Sequence, residues 1–277
     1  MVIPALGFKS GGTRAWFSFG SFLLQPSEFG KLALVFYLAY WFDRKTGAET
    51  NFWFGILPPL LATFGLIGLI LLEPDLGTAI VYMMVAVIVF FAAGARFRYL
   101  AALTAAAGGA LWILILAAPY RMARITSFLH PEQDPLGIGY HITQALIAIG
   151  SGGLWGFGFG ASRQKHSYLP ESIGDSIFAV MAEELGFVRI ILIVVLFVIF
   201  GLLGLRVARR APDRFGELVA AGLTSWIVFQ AIINMGAISN LLPLTGITLP
   251  FVSYGGSSLL SVCIAVGVLL NISRQQD

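Results

Sequence analysis

Charge is what this chain has least of: Asp, Glu, Lys and Arg make up 11% of its 277 residues. An average soluble domain carries about 25%. Hydrophobic residues, at 58%, exceed the usual share of about 45–50%. A water-soluble fold of this size could not hide so much apolar surface, so lipid must cover part of it. Cysteine is nearly absent: Cys263 stands alone in an apolar run, which excludes a disulfide framework. His130, His141 and His166 are too scattered to resemble a zinc site. The net charge of +3 is small and its basic residues fall in short clusters, so a nucleic-acid-binding face is not expected. The opening MVIPALGFKSGG lacks a charged region followed by a long apolar run, and so does not read as a signal peptide.

What is present are long apolar stretches. A spanning helix needs about 20 mainly apolar residues, and seven stretches qualify: 22–42, 54–72, 76–94, 99–118, 176–205, 217–238 and 256–272. The expected fold class is therefore an all-α polytopic membrane bundle with about seven transmembrane helices. Loop cations set its orientation. Arg44, Lys45, Arg96, Arg98, Arg206, Arg209, Arg210, Arg214 and Arg274 lie on one side. Lys9, Arg14, Arg121, Arg124, Arg163 and Lys165 lie on the other. The first set marks the cytoplasmic side, which places the C-terminus inside and the start of this chain outside. The whole of 1–277 is expected to be one integral membrane domain. Within it, residues 119–175 form a large extracytoplasmic loop of short amphipathic helices and glycine turns. Gly152, Gly153, Gly156, Gly158 and Gly160 fit neither a dinucleotide fingerprint nor a P-loop.

An ionisable group in or beside a span is a functional candidate by default. Glu28 and Lys31 are three residues apart, so they share a helix face and can pair. Such a pair either locks helices together or walls a site for an anionic, lipid-linked substrate. Asp175, after Glu171 in Pro170-Glu171-Ser172-Ile173-Gly174-Asp175, enters the next span; it either caps that helix or serves as a base beside Arg163, Lys165 and His166. Glu183 and Glu184 follow, deep enough to need partners, and for at least one of them hydrogen bonds to neighbouring helices are expected. Between Pro243 and Gly256, two prolines and three glycines forbid an uninterrupted helix. Broken backbone at membrane depth must lie inside protein or line a cavity. Together these sets predict one outward-facing polar pocket, in a membrane enzyme or a transporter.

The run Leu249–Ser258, LPFVSYGGSS, resembles the signature of the SEDS family, the cell-wall polymerases of bacterial elongation, division and sporulation. QPSEFGKL at 25–32, the preceding Gly12-Thr13-Arg14-Ala15-Trp16, EPDLGTA at 73–79 and YLPESIGDSIFAVMAEELG at 168–186 resemble the same family in the same order. Arg124–Pro131 and Gly160–Lys165 resemble the division branch, FtsW, more than the elongation branch, RodA. The resemblance implies a peptidoglycan glycosyltransferase of the bacterial cytoplasmic membrane. It would polymerise lipid II on the outer face, release undecaprenyl pyrophosphate, and work with a class B penicillin-binding protein and other division proteins. It implies Asp175 as the essential aspartate and general base on the acceptor 4-hydroxyl. Substrate contacts are expected from Glu28, Lys31, Arg14, Arg163, Lys165, Glu171, Ser253, Tyr254, Gly255 and Gly256. The leaving diphosphate needs cations, for which Lys31, Arg14, Arg163 and Lys165 or a divalent ion (Mg2+ or Mn2+) are available. A lipid II flippase and a non-catalytic scaffold for the transpeptidase are the competing readings. Two departures stand out. The family has ten spans with both termini inside, so this chain is expected to lack the first three, as a fragment or through a misplaced start. Asn240 replaces the Gly, Thr or Arg of the family signature.

Overall fold

The computed structural model describes the chain except residues 1–7, 11–12, 20–21, 46–50, 74, 167 and 276–277; in 8–10, 13–15, 18–19 and 22 only the backbone is described. The chain folds as two compact units. One comprises Met1–Ala107, Phe200–Phe229 and Gly256–Asp277; the other comprises Gly108–Ile199 and Gln230–Gly255.

The first unit opens on three short antiparallel strands in the order β1 (Phe8–Ser10), β2 (Thr13–Phe19) and β3 (Phe22–Leu24). This small sheet is an addition to the all-α fold that the sequence leads one to expect. Helix α1 (Pro26–Arg44) starts where Pro26 occupies its first turn, a position whose N–H has no helical partner anyway. Its junction with β3 is tied to the start of α9 (Gly256–Arg274): Gln25 N–H donates to Ser257 Oγ (3.0 Å), which donates to Leu23 O (2.9 Å). A π-helical turn, Phe52–Ile56, runs into α2 (Leu57–Leu71). Asp75 then caps α3 (Leu76–Ala92) by accepting from Thr78 N–H at 2.9 Å. Leu34, Val35, Leu38 and Phe42 of α1 are buried, and Phe42 meets Phe90 of α3 edge-to-face.

The second unit holds the end of α4 (Phe97–Leu116), then α5 (Pro119–Leu129), α6 (Ile138–Ser151) and the first part of α7 (Ile177–Arg210). Helix α7 is broken at Gly186, which has a φ of 76°. The break frees backbone groups that the loop after α6 takes up. Phe157 and Gly158 N–H donate to Glu183 O and Glu184 O, while Phe187 and Val188 N–H donate to Gly153 O and Leu154 O. At Gly186 a Cβ would lie 2.3 Å from Gly156 N, so the approach of the two backbones requires glycine. Just past helix α8 (Arg214–Ile238), Asn240 has a left-handed φ of 53°. Asparagine adopts that region more readily than most residues, which gives the Asn240 departure a physical reason.

Five helices, not seven, are long and apolar enough to cross a membrane among the described residues: Phe52–Leu71, α4, α7, α8 and α9. The expected span at 22–42 fails because α1 carries Glu28, Lys31, Asp43 and Arg44 within 19 residues. The expected span at 76–94 fails because α3 is only 17 residues long, against the about 20 needed.

Candidate active site

Asp175 sits in the turn that leads into α7, in the second unit. Three anchors hold that turn. Asn234 Nδ2 of α8 donates to Asp175 O (2.8 Å) and to Ile247 O (2.8 Å). Ser253 Oγ donates to Gly174 O (2.7 Å) while accepting from Leu249 N–H (2.7 Å). Tyr254 N–H donates to Ile173 O at 2.9 Å. The proline- and glycine-broken stretch therefore lies against the aspartate turn, and several of its backbone groups find partners within the protein. Gly246 has a φ of 73°, and a Cβ placed there would lie 3.9 Å from Asp175 Oδ2. Arg124 of α5 reaches the same stretch, donating to Leu244 O (3.3 Å) and Thr245 O (3.5 Å).

The Asp175 carboxylate is half-buried and accepts from Ser176 Oγ at 3.2 Å. Burial pushes its pKa up from the ordinary 3.8 to about 6; the Ser176 hydroxyl opposes the rise and the Glu171 carboxylate adds to it. A carboxylate that titrates near 6 is ionised at neutral pH, yet far more basic than an ordinary aspartate. Glu171 is exposed and holds a left-handed φ of 47°. Ser176 is fully buried and lies 2.6 Å from His141 Nε2 of α6. Sequence reading set His141 aside as isolated, because its partner is 35 residues away.

Contrary to the expectation of bonds to neighbouring helices for at least one of them, Glu183 and Glu184 both clasp the loop after α6. Glu184 accepts from Gly160 N–H (2.9 Å), Ser162 N–H (3.2 Å) and Lys165 Nζ (2.7 Å). Glu183 accepts from Ser162 Oγ, Arg163 N–H (3.1 Å) and Gln164 N–H (3.3 Å). Lys165 is thus neutralised, with Gly160 O as a second acceptor at 2.7 Å. Arg163 is exposed, its guanidinium 5.5 Å from the centre of the Phe157 ring. Tyr254 is 79% exposed, Gly255 is half-buried, and Gly256 begins α9 in the first unit.

Glu28 and Lys31 lie in the first unit. They are buried, 5% and 2% exposed, and paired at 2.7 Å. Glu28 Oε2 accepts from Ser261 Oγ of α9 at 3.2 Å, and Lys31 Nζ lies 4.9 Å from the Trp226 ring centre of α8. These contacts join α1 to α8 and α9 within the first unit. The Arg14 side chain lies outside the described residues. Among the described residues no group of three His, Cys, Asp or Glu side chains could hold a metal ion.

The sequence model of one family, described as "Cell cycle protein" and comprising FtsW, RodA and SpoVE, matches residues 1–277. This chain belongs to that family. Stage V sporulation protein E of Bacillus subtilis is 47% identical over 274 residues, covering 99% of this chain and 75% of that protein. A probable peptidoglycan glycosyltransferase FtsW of Thioalkalivibrio sulfidiphilus is 44% identical, covering 99% and 70%. Among solved structures, a chain from work on the structural coordination of polymerization and crosslinking by a peptidoglycan synthase complex matches with a TM-score of 0.81. It is 30% identical over 98% of this chain and 76% of that one. Thermus thermophilus RodA, the rod shape determining protein, matches at 0.69 with 29% identity, covering 99% and 74%. The chain is accordingly a polytopic membrane protein of the SEDS family, an all-α bundle with a small strand appendage.

Proposed function

We propose that this SEDS protein polymerises lipid II into glycan strands on the outer face of the bacterial inner membrane, with Asp175 as general base. Its peptidoglycan glycosyltransferase activity is that of the relatives that share 40–44% of its sequence. The observation that carries the assignment to Asp175 is its half-buried carboxylate, lifted to about 6 in a turn pinned by Asn234, Ser253 and Tyr254. In the reaction the acceptor's 4-hydroxyl gives its proton to Asp175, and its oxygen bonds to the donor's anomeric carbon with inversion. The bond from that carbon to the diphosphate breaks, and undecaprenyl pyrophosphate leaves with the electron pair. Arg163 is the exposed cation of the clasped loop and the better placed of the loop cations to meet the diphosphate, since Lys165 is held by Glu184. Glu171, Ser253, Tyr254, Gly255 and Gly256 shape the approach to Asp175, and Glu28 with Lys31 keeps the first unit in register.

The distribution of loop cations supports a cytoplasmic C-terminus and an outward Asp175 turn. Crosslinking is transpeptidase chemistry, and the synthase complex that the chain resembles supports a class B penicillin-binding protein as partner. The Gly160–Lys165 and Arg124–Pro131 segments favour the division branch, although the sporulation relative, at 47% identity, is more similar than the FtsW at 44%. The test is polymer formation from lipid II in detergent by the purified protein with its penicillin-binding partner, read on a gel. Polymer from wild type and none from folded Asp175→Asn or Asp175→Ala supports the assignment. Equal polymer from all three removes Asp175 from the chemistry, and none from any returns weight to a flippase or scaffold.

A further inference from the structure

We infer that His141 is a positioning residue for Asp175: its imidazole N–H holds the Ser176 hydroxyl as a donor toward the Asp175 carboxylate. The inference rests on the reading of Asp175 as the base. Three groups surround Ser176 Oγ at hydrogen-bond distance: His141 Nε2 at 2.6 Å, Pro170 O at 2.9 Å and Asp175 Oδ1 at 3.2 Å. The hydroxyl has one proton to give. A carbonyl and a carboxylate can only accept, so the set is satisfied when His141 donates from Nε2 and Ser176 donates onward. The other tautomer would claim the serine proton and leave both oxygens without it. Ser176 is fully buried, so a misdirected hydroxyl has no water to turn to.

The arrangement serves both states of the base. While Asp175 is ionised, the hydroxyl points to the carboxylate, because a charge-assisted bond is the stronger of its two choices. Once Asp175 has taken the acceptor's proton, the hydroxyl turns to Pro170 O and nothing buried is stranded. A donor bond from imidazole into Oγ polarises the O–H and strengthens what it gives to Asp175. Burial lowers the pKa of His141 more than Glu171 raises it, so the ring is neutral and keeps one N–H for this bond. The titratable groups facing the set are Glu171 of the same turn, Asp175 itself and His141 of α6. Arg124 of α5 lies on the carbonyls of Leu244 and Thr245, next to Gly246.

The test is the pH profile of lipid II polymerisation by the protein–partner complex, between about pH 5 and 8. It compares wild type, His141→Leu, His141→Gln, Ser176→Ala, the Leu/Ala double variant and Asp175→Asn. His141→Leu fills the space without an N–H; its acid limb should move up by about half a unit, a ~3-fold loss on the acid side. His141→Gln, which keeps an N–H donor, should overlay wild type. Ser176→Ala should shift at least as far as His141→Leu, and the double variant no further, since both act through one hydroxyl. A His141→Leu profile that overlays wild type overturns the inference, as does a double variant whose shift is the sum of the two. If His141→Leu does not yield monodisperse protein, a Ser176→Ala profile identical to wild type overturns it instead. Full activity in Asp175→Asn would sink the base reading itself, whereas an inactive Asp175→Asn with unmoved His141 and Ser176 profiles sinks only this inference.

Discussion

The molecule holds two polar clusters built from similar residues toward different ends. In the first unit, Glu28 and Lys31 are buried, paired at 2.7 Å, and completed by Ser261 and the Trp226 ring. In the second, Asp175 is half-buried, takes one hydroxyl and faces the like charge of Glu171. A buried pair whose groups satisfy one another has low free energy where it stands and resists change. A carboxylate lifted out of its ordinary range is held there by the rest of the fold, and relaxes when it accepts a proton. The first arrangement suits fixing helix register in lipid; the second suits keeping a base ready, as proposed for Asp175.

Experiments on the two clusters should therefore fail differently. The largest effect expected is on turnover: Asp175→Asn should lower the polymerisation rate by about 100-fold to 10,000-fold, the range for loss of a general base. Lys31→Met and Glu28→Gln should act on the fold. Each strands a buried charge or breaks its pair, at a cost of roughly 3–5 kcal/mol, read as a lowered unfolding midpoint in detergent or as lost expression. Glu184→Gln should be milder, because one of the two loop amides keeps a carbonyl acceptor while the other and the Lys165 pair are lost. A rise in KM of about 10-fold, near 1.4 kcal/mol, with more protease cleavage between Gly158 and Lys165, would check it. The smallest effect is electrostatic. Glu171 raises the Asp175 pKa, so Glu171→Gln should move the acid limb to lower pH by a fraction of a unit, and a shift the other way would count against the charge geometry.

How much of this was legible in the sequence depends on separation along the chain. The three-residue offset that pairs Glu28 with Lys31 is local, and so is the helix entry at Asp175; both follow from helix geometry. The two prolines and three glycines between Pro243 and Gly256 announce broken backbone by composition alone, and that stretch is irregular in the fold. Helix α6 within the 119–175 loop follows from its apolar run, Ala145–Gly150, whereas α5 carries no such run. The count of spans went wrong because hydropathy over 22–42 outweighed the four charges of α1, and because α3 stops at Ala92. What fold alone brings together stayed hidden. His141 meets Ser176 across 35 residues, and Glu183 and Glu184 reach back about 20 residues to a loop whose amides carry no sequence signal. The nearest clue was Gly186, whose close approach to Gly156 only the structure shows.

The Asp175 claim also predicts a stability that opposes activity. Because the folded pKa is raised, the contribution of this group is full below about 3.8 and is lost as pH rises through about 6. At pH above that window the carboxylate destabilises the fold, and a neutral side chain of the same shape relieves it. The most direct measurement is the paired unfolding midpoint and lipid II polymerisation rate of Asp175→Asn against wild type, at a pH above 7 in one detergent. The account predicts an unfolding midpoint equal to or above wild type together with no polymer. Polymer at the wild-type rate, or an inactive variant with a clearly lowered midpoint, would contradict it.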